Sequence, residues 1–320
     1  MPSTPDISVV VPIFNEEDSL PILYREVREA IEAMGSSFEL ILVDDHSNDT
    51  SLARMLELRA GDPRVKVLHF RRNFGQTAAM SAGFGAARGA IVVTMDGDLQ
   101  NDPADIPRLV AKMREGFDIV AGWRKNRQDG FVLRRVPSLV ANRLIAWVTD
   151  TPIHDTGCTL KAFRAKLVKN LSLYAEQHRF LPAMSRGSGA QIAEIVVNHR
   201  ARRFGHSKYG LERALRVLLD LFVIKLISQF AHRPLHYFGL FSLPFATLAW
   251  SVLFLAVDWS DVDLATNWPQ WAFTVFSLFL LPAVHFVLLG LLSELVVMAS
   301  GVNRRSVLER LVNRRAQEVR

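Results

Sequence analysis

Apolar and polar positions alternate in blocks along the first part of the chain. Residues Ile7 to Ile13 form a short apolar run of strand type, followed by the polar loop Phe14-Asn15-Glu16-Glu17-Asp18-Ser19. Apolar residues then return at helical spacing from Leu20 to Met34, with Gly35 as the stop. The same alternation predicts strands from Phe38 to Val43, Val65 to Phe70, Gly89 to Met95 and Phe117 to Trp123. Between them it predicts helices from Ser51 to Arg59, Thr77 to Ala87 and Ile106 to Glu115. His154 to Cys158 breaks the next helical region, and apolar alternation resumes from Thr159 to Phe163. Strand following helix in this way predicts an α/β fold with a mostly parallel, Rossmann-like sheet covered on both faces.

The pattern changes after residue 210. Leu211, Leu215, Leu218, Leu219, Phe222, Leu226 and Phe230 keep helical spacing, with Arg213, Arg216, Asp220 and Lys225 between them. This predicts an amphipathic helix lying at a membrane interface. Tyr237 to Val257 and Trp271 to Ser293 then carry no formal charge, and each can cross roughly 30 Å of hydrocarbon. The link between them holds Asp258, Asp261 and Asp263 but no Lys or Arg, whereas basic residues gather outside both spans. The positive-inside rule therefore puts both termini in the cytosol, with Trp259, Trp268 and Trp271 in an outer aromatic belt. The expected divisions are a soluble domain at 1–210, an interfacial helix region at 211–234, a two-span hairpin at 235–300 and a basic tail at 301–320.

Composition agrees with this division. The chain is 49% hydrophobic, high for a wholly soluble enzyme, because apolar residues concentrate near its C-terminus. A formal charge of +6 suggests an anionic partner. The basic residues flank the spans and one loop, so a membrane accounts for them and no nucleic acid is required. The one cysteine, Cys158, excludes an internal disulfide and a cysteine zinc cluster. Met1 to Asp6 has no basic n-region, so no signal peptide is expected there.

The polar clusters follow strands. In open α/β sheets ligands bind at the carboxyl ends of strands, so the clusters around Asn15, Asp45 and Asp98 should converge. Asp96 and Asp98 end an apolar strand and need neutralising. Clustered oxygen ligands suit a hard divalent cation, Mg²⁺ or Mn²⁺, which would hold phosphates. Capping the next helix is the simpler use of these acids, but Asp102 before Pro103 already fills that role. Arg124, Lys125, Arg127, Arg134 and Arg135 follow a strand and could clamp an anion. The loop Phe204-Gly205-His206-Ser207-Lys208-Tyr209-Gly210 offers backbone and side-chain donors that can wrap a phosphate. Gly83-Phe84-Gly85-Ala86-Ala87-Arg88-Gly89 mimics a dinucleotide fingerprint but follows a helix, so it reads as helix packing.

Three motifs together resemble family-2 glycosyltransferases of the GT-A nucleotide-diphospho-sugar transferase fold. They are Val11-Pro12-Ile13-Phe14-Asn15-Glu16-Glu17, Val43-Asp44-Asp45-His46-Ser47-Asn48-Asp49-Thr50 and Asp96-Gly97-Asp98-Leu99-Gln100. Arg202-Arg203-Phe204-Gly205-His206-Ser207-Lys208-Tyr209 is similar to the acceptor-side motif of the polyprenyl-phosphate glycosyltransferases. Asn73-Phe74-Gly75-Gln76, Arg127-Gln128-Asp129 and Gly157-Cys158 lie nearest their aminoarabinose branch.

The resemblance implies that Pro12, Phe14, Glu16 and Val43 line the nucleotide and that Asp45 faces the base. It puts Asp96, Gly97 and Asp98 on the sugar diphosphate, with Asp96, Asp98 and Gln100 around the metal. Arg124, Arg202, Ser207 and Lys208 would bind donor and acceptor phosphates. Asp155, Asp98 and Arg124 would carry catalysis, Asp155 either as general base or as an orienting group. Phe14 replaces a tyrosine common in the family, and Ser293-Glu294-Leu295-Val296 replaces a Gly-Glu-Tyr-x-Gly-Arg signature.

The function so implied is inverting sugar transfer from a nucleotide sugar, with UDP favoured, to a polyprenyl phosphate such as undecaprenyl phosphate. It would occur at the cytosolic face of the inner membrane, in a multi-pass protein and, as in the family, a homo-tetramer. A GDP-mannose-dependent mannosyltransferase and a non-catalytic subunit for sugar-lipid translocation are the alternatives. The chain lacks the Gln-x-x-Arg-Trp motif of processive polysaccharide synthases, which argues against that rival.

Overall fold

The computed structural model of the chain describes residues 4–125, 143, 153–169, 181–186, 189–201, 203, 225, 230, 233–256 and 270–299. The chain divides into two compact units, Met1–Ile224 and Lys225–Arg320. The expected interfacial helix falls outside the described residues, apart from Lys225, Phe230 and its end at 233–234, and so does the basic tail.

The first unit is built on β1 (Ile7–Ile13), α1 (Leu20–Glu32), β2 (Phe38–Asp44), α2 (Ser51–Gly61), β3 (Val65–His69), α3 (Gln76–Ala86) and β4 (Ile91–Thr94). A 3-10 turn (Pro103–Asp105), α4 (Ile106–Arg114), β5 (Ile119–Trp123), β6 (Lys161–Arg164), α5 (Ala165–Lys169), α6 (Leu181–Arg186) and β7 (Ile192–Val196) follow. Among the described residues seven strands form one sheet, in the order β3-β2-β1-β4-β6-β5-β7. All neighbours are parallel except β6, which runs antiparallel to both β4 and β5. The mostly parallel sheet expected from the alternation is therefore present, with one reversed strand that the alternation did not foretell.

β1 lies inside the sheet, and its side chains are divided between two cores by the period of two. Val9 and Val11 pack with Leu20, Leu23, Val27 and Ile31 of α1 and with Ile106 and Leu109 of α4. Val10 packs on the opposite face with Ala79, Met80 and Phe84 of α3. Each buried Val, Leu, Ile, Met or Phe side chain among these contributes about 1.5–3 kcal/mol by leaving water. α3 can approach the sheet because residue 83 is glycine: a Cβ there would sit 2.2 Å from Val10 Cγ1. The glycine-rich stretch is thus a packing device, as its position before a strand implied.

β7 was not predicted. Among the described residues it pairs only with β5, four of its residues are half-buried and Val196 is exposed, and a glutamate lies in its middle, so it lacks the apolar signal of the central strands. The antiparallel β6 has a consequence for function. Its N-terminal end lies beside the carboxyl ends of β4 and β5, so the segment 153–160 that feeds it arrives where the acidic loops are.

The second unit contains α7 (Pro234–Ala256) and α8 (Gln270–Ala299), which pack against one another. Their apolar stretches, Pro234–Leu255 and Trp271–Ala299, are long and apolar enough to cross a membrane. Only 11% of the most apolar window of each is buried, and Leu240, Trp250, Phe273, Leu281 and Val296 are all exposed. So large an apolar surface suits lipid rather than water. Gly290 lets α8 approach α7, since a Cβ there would meet Leu235 Cδ1 at 2.9 Å. Glu294 Oε2 accepts the N–H of Leu235 at 3.3 Å, satisfying one of the orphan donors at the start of α7.

A polar clamp ties the edge of the first unit. Arg64 binds Asp62 through Nε and Nη2, and Tyr24 Oη donates to Asp62 Oδ2 at 2.7 Å. The hydrogen bonds from Arg64 draw the Asp62 carboxyl down from its ordinary 3.8 to about 2. A carboxylate depressed in the folded state adds stability above its unfolded pKa and loses it as pH falls through the folded value. Asp62→Asn should therefore be less stable than wild type at neutral pH and lose less further stability between about pH 4 and pH 2. Thermal unfolding followed by circular dichroism across that range measures both effects.

Candidate active site

The chain leaves β1 toward β2 and β3 on one side and adds β4 on the other. The crevice between the carboxyl ends of β1 and β4 is thus a topological switch point, where open α/β sheets bind ligands. Three loops meet there. Each holds one non-glycine residue at positive φ: Asn15 (59°) after β1, His46 (64°) after β2 and Leu99 (62°) after β4. These are the only such residues among the described ones, and each conformation costs on the order of 1–3 kcal/mol.

Hydrogen bonds hold the strain in place. Asn15 N–H donates to Ser47 Oγ at 3.0 Å, and Glu16 N–H donates to Ser51 Oγ at 2.8 Å. In return Asn48 N–H donates to Asn15 Oδ1 at 2.8 Å, and Thr50 N–H donates to Glu17 Oε2 at 2.9 Å. The first two motifs are in this way one knot. Pro12 lies in β1 and Phe14 is half-buried at the strand's exit. Val43 is fully buried in the α3-side core, so only its backbone could reach a ligand.

Asp45 is 4% exposed, and its carboxylate accepts the N–H of Phe74 at 2.7 Å and of Gly75 at 2.9 Å. Burial pushes this carboxyl up, against the pull of those two N–H groups. Asp45 thus already organises the Asn73–Gln76 loop, and a base facing it would use the remaining lone pairs.

The third motif begins with Asp96. Its N–H donates to Asn101 Oδ1 at 3.0 Å. Both carboxylate oxygens are held by neutral donors: Gln76 Nε2 at 2.7 Å on Oδ1, and Thr159 Oγ1 at 2.5 Å on Oδ2. Gly97 sits against β1, where a Cβ would come within 2.7 Å of Ile13 Cδ1. Asp98 is 7% exposed, and its Oδ1 accepts the N–H of Gln100 at 3.1 Å. Asp102 caps the following turn, accepting the N–H of Ala104 at 3.0 Å as expected.

Among the described residues no group of three or more His, Cys, Asp or Glu side chains could hold a metal ion. An all-protein cage is therefore not what these residues build. The candidate ligands are oxygen donors and include two carboxylates one residue apart in the chain, which fits a hard cation completed by substrate phosphates.

Arg124 leaves β5 beside this cluster. It grips Asp155 with Nε on Oδ2 at 2.7 Å and Nη2 on Oδ1 at 3.0 Å, and its backbone N–H reaches Oδ2 at 3.3 Å. The two side chains are 14% and 4% exposed. Burial disfavours the guanidinium charge, but the bonds to Asp155 and the fields of Asp155 and Asp96 outweigh it and hold Arg124 above its ordinary range. The expected phosphate ligand and the expected base are thus one bidentate pair. Cys158 lies next to them, fully buried, with burial pushing its thiol up to about 11.

The segment after β7 is pinned to the acidic loop. Arg200 N–H donates to Gln100 O at 3.0 Å, Arg200 Nη2 binds Asp102 at 2.7 Å, and Asn101 bridges to His199. Arg202, Ser207 and Lys208, the expected phosphate ligands that follow, lie outside the described residues.

Sequence reasoning missed Thr159, Asn101 and Glu194 and left Gln76 without a role. Gln76 was inside a noted motif. Thr159 and Glu194 gave no signal, because their partners are distant in sequence.

An open α/β sheet with acidic loops at its switch point is a setting for ligand binding, and the comparisons with known proteins give the class. The profile described as Glycosyl transferase family 2 matches residues 8–172. The chain is 43% identical to dodecaprenyl-phosphate galacturonate synthase of Rhizobium johnstonii over 299 residues, covering 91% of this chain and 87% of that protein. It is 37% identical to undecaprenyl-phosphate 4-deoxy-4-formamido-L-arabinose transferase of an Enterobacter species, covering 91% and 88%. Glucosyl-3-phosphoglycerate synthase of Mycobacterium tuberculosis, solved with Mn²⁺, UDP-glucose and phosphoglyceric acid, superposes with a TM-score of 0.55 at 23% identity, over 70% of this chain and 80% of that one. The chain belongs to glycosyltransferase family 2, and its catalytic unit has the GT-A fold.

The Arg124–Asp155 pair also bears on stability. Asp155→Ala strands a buried guanidinium and should cost about 3 kcal/mol, near the lower end for removing one member of a buried pair. Arg124→Ala/Asp155→Ala should regain part of that loss. Thermal unfolding of detergent-solubilised protein measures both, and a double variant no more stable than Asp155→Ala would rule out a stranded charge.

Proposed function

We propose that this glycosyltransferase moves a sugar from a nucleotide sugar, UDP-linked by preference, onto the phosphate of a polyprenyl phosphate at the cytosolic membrane face. One observation carries the reading. The likeness to two polyprenyl-phosphate sugar transferases extends over 91% of the chain, so it includes much of the apolar hairpin as well as the catalytic unit. An apolar hairpin is what an enzyme needs when its acceptor's tail stays in the bilayer. A donor with guanine as its base remains the runner-up.

In this reading Asp96, Gly97 and Asp98 face the sugar diphosphate. Asp96, Asp98 and Gln100, with the substrate's own phosphates, would hold a divalent cation, Mg²⁺ or Mn²⁺. Such an ion neutralises the diphosphate that leaves. Gln76 and Thr159 keep Asp96 oriented without cancelling its charge. Arg124 has donors beyond those spent on Asp155, because a guanidinium carries five N–H groups. With Arg202, Ser207 and Lys208 it screens the repulsion between the two phosphates that must approach each other. The acceptor phosphate attacks the anomeric carbon opposite the leaving diphosphate, which inverts that centre.

No strong base is required, since a phosphate monoester has a second pKa near 6 and is largely dianionic at pH 7. Asp155 then serves by fixing Arg124 rather than by taking a proton.

Purified protein should convert undecaprenyl phosphate to a sugar-linked lipid with at least one of UDP-galacturonate, UDP-4-deoxy-4-formamido-L-arabinose, UDP-glucose or GDP-mannose, read by mass spectrometry. A soluble short-chain phosphate should be a far poorer acceptor, through KM more than through kcat. No lipid product from the whole panel would defeat the proposal. For Asp155, Asp155→Asn should lower kcat but retain turnover that follows the acceptor's ionisation. Inactivity across the accessible pH range, with the protein folded, would instead make Asp155 the base.

A further inference from the structure

Glu194 lies on β7, an edge strand, and its side chain is only 9% exposed. A carboxylate shielded this far needs donors, and three come from one place. His154 N–H donates to Oε1 at 2.9 Å, Asp155 N–H donates to Oε1 at 3.1 Å, and His154 Nδ1 contacts Oε2 at 2.7 Å. All three of these contacts lie on the two residues that end in Asp155. The same two residues are gripped from β5. The His154 ring stacks on Trp123, with centroids 4.3 Å apart and planes 16° apart, and Asp155 grips Arg124. Trp123 and Arg124 are consecutive, and so are His154 and Asp155. β7 pairs in register with β5, Glu194 opposite Ala121. Two neighbouring strands thus hold one dipeptide.

We propose that Glu194 is a positioning residue for sugar transfer: by holding the backbone N–H groups of His154 and Asp155 it fixes the Asp155 carboxylate and, through it, the direction of the Arg124 guanidinium. This rests on the reading of Arg124 and Asp155 as parts of the transfer site. The physical reason is the angular sensitivity of a bidentate pair. Arg124 can offer its remaining N–H groups to a phosphate in one direction only while Asp155 occupies Nε and Nη2. Asp155 lies on the irregular segment that precedes β6, so nothing in a strand ladder sets its direction. The two N–H bonds to Glu194 supply that constraint. His154 is the more exposed contact, with a side chain 66% exposed, and contributes less.

Glu194 touches no reacting atom in this scheme, so the test has to separate positioning from folding. Glu194→Ala should lower kcat about 10- to 100-fold, the scale of a misplaced site group, with the nucleotide-sugar KM little changed. Glu194→Gln keeps an oxygen that can accept both backbone N–H groups, and should stay within about threefold of wild type. His154→Ala keeps those N–H groups and should lose less than Glu194→Ala. In an Arg124→Lys background, where the bidentate pair is already broken, Glu194→Ala should cost far less than it does in wild type. Hydrogen exchange gives a readout free of catalysis: the amides of His154 and Asp155 should lose protection in Glu194→Ala and keep it in Glu194→Gln. Unchanged protection in Glu194→Ala, full activity of Glu194→Ala, or an undiminished loss in the Arg124→Lys background would each overturn the proposal. If wild-type protein transfers sugar to no lipid phosphate, the functional reading fails by itself, and the exchange experiment still decides whether Glu194 anchors the dipeptide.

Discussion

A buried guanidinium bound to a buried carboxylate sets the terms for the open end of this sheet. Arg124 comes from the end of β5, and Asp155 from the segment that feeds the antiparallel β6. Charged groups so little exposed are tolerated only when paired and hydrogen-bonded, so the pair forces the 153–160 segment against β5. That segment carries Thr159, which in turn holds Asp96. Loss of the pair would therefore disturb both the basic and the acidic sides of the site.

The loops after β1, β2 and β4 solve a different problem. Each turns sharply at one left-handed residue, Asn15, His46 or Leu99, at some cost in backbone energy. Ser47, Ser51, Asn15 and Glu17 offset that cost by exchanging hydrogen bonds between the loops after β1 and β2. Leu99 is held instead by burial in the α1-side core. The result is a preformed crevice whose acids are already oriented by neutral donors, so a ligand need not organise them.

The hairpin obeys other rules. Its exposed surface is apolar, so water-driven collapse does not hold α7 to α8 in a bilayer; close packing and a few polar contacts must. Gly290 provides the close approach, and Glu294 reaches the N–H of Leu235. Glu294 is the residue that Ser293-Glu294-Leu295-Val296 keeps from the Gly-Glu-Tyr-x-Gly-Arg signature, and this contact gives the retained acid a structural use.

The local pattern of apolar residues determined most of the strands and helices, because burial on both faces of a parallel sheet imposes near-continuous apolar runs. It also determined the two long apolar helices, because crossing hydrocarbon demands length without charge. The acids at Asp45, Asp96 and Asp98 were legible as a candidate site, since each follows a strand and strands of one sheet end together. Tertiary structure alone decided the rest. That β6 runs antiparallel, that β7 exists, and that Arg124 spends two donors on Asp155 all depend on pairings between residues far apart in sequence, which no local periodicity encodes. Glu194 is the plainest case: a lone acid on a half-buried strand has no local pattern to mark it, and only the fold brings it within 3.1 Å of two backbone N–H groups some forty positions away.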